Sequence, residues 1–96
     1  MNNLIFNIIE NISYKRYTNI IWRETLNNLK LHINKNKKLP SHHSNNIKIR
    51  KLSKWLYLQY KKYKNKEGIM ENEKFYKLWS EFIENYNIYF NLNNKN

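Results

Sequence analysis

The sequence predicts an all-α protein, a small three-helix bundle with an extra helix at its N-terminus. Three observations lead there. Apolar residues recur at spacings of three and four in four separate segments. The single Pro and the single Gly fall between those segments rather than inside them. Only residues 88–92 show any alternation of apolar and polar side chains, and that run is short enough to be a helix end.

The first element follows from Leu4, Ile5, Ile8, Ile9 and Ile12, which predict an amphipathic helix over about 3–12. Residues 14–17 are more polar and read as a joint, although no Gly or Pro forces a break there. Thr18 is the expected N-cap of a second helix over about 18–36, whose stripe is Trp22, Leu26, Leu29 and Ile33. Leu39-Pro40 ends it, because Pro restricts its neighbour and lacks an amide donor. The polar run 41–46 is a loop.

A third helix is expected over about 47–64. At 100° per residue, Leu52, Leu56, Gln59 and Tyr63 share one face, with Trp55 at its edge. Arg50, Lys54, Tyr57, Lys61 and Lys64 line the other side. Gly68 marks a turn. The fourth helix, about 71–89, carries Glu71 and Glu73 where carboxylates favour the helix dipole. Its buried stripe is Phe75, Leu78, Trp79, Phe82, Ile83 and Tyr86. The tail 91–96 is polar and expected to be disordered. The predicted core is therefore Trp22, Leu26, Leu29, Leu52, Trp55, Leu56, Trp79 and Phe82.

Ninety-six residues suffice for one modest core. The net charge of +11 favours a polyanionic partner. Across residues 30–66 there are twelve Lys or Arg and no Asp or Glu. Part of that excess has a plainer source. The chain lacks Ala, Val, Asp and Cys and is rich in Asn, Lys, Ile and Tyr, the vocabulary of an A+T-biased genome. Codon bias does not account for the segregation, since five Glu outnumber two Lys over residues 67–84. Without cysteine there is neither a disulfide nor a Cys-ligated zinc. The start of the chain lacks the basic segment of a signal peptide, and Asn7 and Glu10 break its apolar run. No stretch approaches the roughly 20 apolar residues of a membrane span, so no membrane partner is expected.

Over residues 20–90 a series of landmarks occurs in order. Trp22, Leu26, Leu29 and Ile33 come first, then Pro40-Ser41, Lys51-Leu52, Trp55-Leu56, Gln59 and Tyr63-Lys64. Ile69-Met70, Tyr76, Trp79, Glu81-Phe82-Ile83, Tyr86 and Tyr89-Phe90 complete the series. In this order and spacing the segment resembles the helicase-associated domain in the form found in large DNA viruses of eukaryotes. The resemblance implies a small helical module that follows a helicase motor and contacts nucleic acid. It also implies a setting in an infected host cell (cytoplasm or nucleus) or a virion, with a separate helicase or another viral protein as partner. Two departures stand out. The family's usual Gly after the Leu of the third helix is Ser53 here, which would loosen a close helix contact. There is also no G-x-x-x-x-G-K-[ST] loop to cradle a phosphate. A detached binding module is implied, with residues 1–17 as an appended helix and joint.

Catalysis has little to stand on. Glu81 and Glu84 read as solvated helix residues rather than an acid/base pair. Ser41 beside His42 and His43 has no Asp to orient an imidazole. His32, His42 and His43 lack companions for a four-ligand metal site, so neither metal nor cofactor is expected. Gln59, polar on an apolar face, is expected to bond a backbone group at a helix end.

The candidate nucleic-acid contacts are Arg50, Lys51, Lys54, Tyr57, Lys61, Lys62 and Lys64, with Lys37 and Lys38 before the loop. Tyr57 would stack on an exposed base or donate to a phosphate. The competing view is a solvated face with an ordinary surface Tyr, and Lys37 and Lys38 also suit the negative end of a helix dipole. Base-edge readers are scarce, so DNA or RNA would be held by charge and shape with little sequence preference. About six to eight engaged phosphates are expected. The alternative is a protein–protein adaptor for a viral replication or virion assembly. There the basic face would meet an acidic partner and the N-terminal helix would supply the anchor. That helix is otherwise expected to fold over the bundle or form a dimer seam, with Leu58 as a docking point.

Overall fold

The structure, a computed structural model, describes the backbone of residues 3–94 and the side chains of residues 17–90. It is all-α. Helix α1 spans Asn3–Asn36 and α2 spans Ile47–Asn65. A 3-10 turn over Gly68–Glu71 leads into α3, Glu73–Asn85, and α4, Asn87–Asn94. No strand occurs among the described residues.

The joint expected at 14–17 is absent, and α1 runs through it for 34 residues. Tyr14, Lys15, Arg16 and Tyr17 include neither Gly nor Pro, so nothing in the segment breaks the backbone. Thr18 therefore lies inside a helix and is no N-cap. At the 1.5 Å rise, α1 is about 51 Å long, consistent with a longest dimension of 60 Å. The N-terminal segment is thus continuous with the rest of α1.

Side-chain caps set where the later helices begin. Asn46 Oδ1 accepts the Lys48 amide at 2.9 Å and starts α2. Asn72 Oδ1 accepts the Lys74 amide at 2.9 Å and starts α3. Glu71 consequently sits in the 3-10 turn rather than in a first helical turn, whereas Glu73 keeps that place. The single helix expected over 71–89 is split at Tyr86, where φ −111° and ψ 21° leave the helical region. The disordered tail expected from residue 91 is shortened, because α4 is helical to Asn94. Residues 95 and 96 lie outside the described residues.

The core joins Trp22, Leu26, Leu29 and Ile33 of α1 to Leu56 of α2 and to Phe75, Trp79 and Phe82 of α3. Met70, fully buried, plugs it from the 3-10 turn. Leu52 and Trp55 are not buried in full; they pack against its edge. The three Trp cluster, with ring centroids 5.7 Å apart for Trp22–Trp55, 6.3 Å for Trp22–Trp79 and 5.9 Å for Trp55–Trp79. Gln59 is buried among them, and its Oε1 accepts the Trp22 indole N–H at 2.9 Å. Its partner is thus a side chain of α1 and not a backbone group. That bond relieves the Trp22 donor of an otherwise costly burial. Across the bundle, Ser80 Oγ donates to Tyr63 Oη at 3.0 Å, and Tyr86 Oη donates to Asn34 Oδ1 at 3.1 Å.

A chain with one Gly must close its helices with other residues. Lys37, immediately after α1, has φ 59°, and Lys66, after α2, has φ 52°. The left-handed region costs a residue with a Cβ roughly 1–2 kcal/mol. Lys37→Gly should therefore raise stability by about 0.5–1 kcal/mol after Gly's own entropic cost, or a few degrees of melting temperature. A circular-dichroism melt checks it; an unchanged or lower midpoint would show the conformation is unstrained.

Candidate nucleic-acid interface

The buried side of α2 is Ser53, Leu56 and Gln59, flanked by half-buried Leu52, Tyr60 and Tyr63. Burying that side turns Lys51, Lys54, Tyr57, Leu58, Lys61 and Lys64 outward, and all six are exposed. Tyr57 exposes 56 % of its surface. The outward face thus carries four lysines together with Tyr57 and Leu58. Lys37 and Lys38 are exposed where α1 ends and the loop begins.

Two of the expected cations are occupied otherwise. Arg50 is half-buried, and its Nη1 donates to the Ser44 carbonyl at 2.8 Å, pinning the 41–46 loop against α2. Lys62 is half-buried as well, and its aliphatic stem passes Gly68, where an added Cβ would meet Lys62 Cδ at 3.5 Å. Lys64 is exposed but not idle, with its ammonium 5.2 Å from the centroid of the Tyr60 ring.

The loop brings an unexpected residue to this face. His42 Nδ1 lies 2.8 Å from Ser53 Oγ, and the His42 ring sits 5.2 Å from that of Tyr57 at 52°. Ser53 is fully buried, and its hydroxyl gives the loop a hydrogen-bonding anchor. Spacing alone could not reveal this, since His42 and Ser53 are eleven residues apart across a loop. His43 is exposed and faces His42 edge-on at 5.2 Å. His32, near the end of α1, is held below its ordinary pKa, first by burial and second by the Lys38 charge. Its Nε2 is buried without a hydrogen-bond partner.

Two depressions flank α2. One, of about 490 Å³, is lined by Tyr57, Tyr60, Lys61, Lys64 and Asn65. The other, of about 400 Å³, lies between α1 and α2 and is lined by Thr25, Asn28, Lys48, Lys51, Leu52 and Trp55. Glu81 and Glu84 are exposed on α3. Among the described residues no group of three or more His, Cys, Asp or Glu is placed to hold a metal ion. No helix among them is long and apolar enough to cross a membrane. In comparisons with known proteins, no family model, no curated protein and no solved structure matches the chain.

Proposed function

We propose that this chain is a small non-enzymatic module that binds the phosphate backbone of DNA or RNA. Contact is through the outward face of α2 and the end of α1 that precedes the loop. The observation that carries the reading is the segregation on α2. Lys51, Lys54, Lys61 and Lys64 surround the exposed Tyr57, while five of the chain's Glu lie at residues 67–84, beyond that helix. Such a face attracts a polyanion and releases its counterions on binding. Lysine dominance makes the contact one of charge and shape, with little preference among sequences.

The resemblance of the ordered landmarks to those of the helicase-associated domain is in keeping with the same reading. They suggest an accessory role beside a separate helicase or another viral protein, in a cell infected by a large DNA virus or in a virion. Anisotropy titration of labelled oligonucleotides tests the proposal. Binding should be clear at about 50 mM salt and should weaken steeply by about 200 mM. No binding at the lower concentration, or binding indifferent to salt, overturns it.

A further inference from the structure

The outward face of α2 carries more than charge. Tyr57 lies in the shallow depression of about 490 Å³ with Tyr60, Lys61, Lys64 and Asn65. Its volume is within the roughly 300–1,000 Å³ of small-ligand sites. The two tyrosines differ in what their rings already do. Tyr60 stacks on Phe90 of α4, with centroids 6.1 Å apart and planes 19° apart, and the Lys64 ammonium lies over it. Among the described residues, the ring of Tyr57 meets one other ring, that of His42, and more than half its surface is open. His42 is in turn fixed by Ser53, so the platform is braced from inside the fold.

An exposed ring on a rigid helix, with a brace behind it and lysines beside it, suits a flat apolar ligand bearing negative charge. A nucleotide is such a ligand. We propose that this depression takes an unpaired nucleotide, its base stacked on Tyr57 and its flanking phosphates held by Lys61 and Lys64. Asn65, which also lines the depression, offers an amide to the base edge. The ligand class is then single-stranded nucleic acid, because in a duplex the faces of the bases are covered by their neighbours and only edges and phosphates are presented. This rests on the nucleic-acid reading above and narrows it. Ser53 and His42 act as positioning residues for the ring.

The test compares labelled single-stranded and duplex oligonucleotides of equal length against the wild type, Tyr57→Phe and Tyr57→Ala. Stacking on one aromatic ring is worth about 1–3 kcal/mol, so Tyr57→Ala should weaken single-strand binding by roughly 5- to 150-fold. Tyr57→Phe should stay close to the wild type, which separates the ring from its hydroxyl. Duplex affinity should be weaker at the outset and insensitive to both changes. Circular dichroism of both variants should match the wild type, since the side chain lies outside the core. The inference is overturned if Tyr57→Ala binds single strands like the wild type, or if Tyr57→Phe loses as much as Tyr57→Ala. Either result, with salt-sensitive binding preserved, leaves the broader reading standing. Absence of binding to every oligonucleotide removes both.

Discussion

Reversing Lys54 and Lys61 together to Glu should lower nucleic-acid affinity by roughly 100-fold at low salt, with helix content unchanged. Both side chains are exposed on the outward face of α2. Exposed charges contribute little to folding, so the variant should melt near the wild type. It should even lose some like-charge repulsion, since Lys61→Glu sets a carboxylate one helical turn before Lys64. A matched control is Lys74→Glu with Lys77→Glu on α3, which changes the net charge by the same amount on another helix. Equal loss in the two double variants would mean that total charge matters and the face does not. Unfolding of the α2 variant would mean that the lysines are structural.

Trp79→Ala should remove roughly half of the protein's stability or more. Trp79 is fully buried and meets Trp22, Trp55 and Phe82, the last with centroids 4.9 Å apart. Removing such a side chain costs about 3–5 kcal/mol through lost transfer energy and the cavity left behind. A domain of this size has a total of about 5–10 kcal/mol to lose. Chemical denaturation should show a midpoint lowered to roughly half that of the wild type or less. Trp79→Phe should be markedly milder. The Trp79 indole N–H is buried with no hydrogen-bond partner, so no bond is lost when it goes. If Trp79→Ala melts like the wild type, the centre of the core lies elsewhere.

The parts of this fold legible in the sequence are those governed by periodicity. The stripe of α1, the two-sided character of α2 and the Phe75–Trp79–Phe82 spacing all follow from 3.6 residues per turn. The misjudged parts depend on contacts between elements. By spacing, Arg50 is one more cation of the stripe, because its Ser44 acceptor belongs to a loop whose path no spacing describes. Lys62 is half-buried beside the turn at Gly68, which spacing does not describe either. Gln59 is legible as structural, but its partner lies 37 residues away on α1. Met70 is apolar in a turn, and only the inward fold of that turn makes it core. The break at Tyr86 has no Gly or Pro to announce it. For the interface, charge and the outward side of α2 are readable, whereas the His42–Ser53 brace behind Tyr57 is not.

These diversions change the expected salt dependence. Counting only the exposed candidates and leaving out the half-buried Arg50 and Lys62, six cations are open to phosphate: Lys37, Lys38, Lys51, Lys54, Lys61 and Lys64. Six contacts predict a slope of log affinity against log salt of about −4 on a single strand and about −5 on a duplex. Measuring that slope for the wild-type chain on a single-stranded oligonucleotide is the most direct test of the proposed function. A value near −4 is the predicted result; a slope near zero, with binding intact, would contradict it.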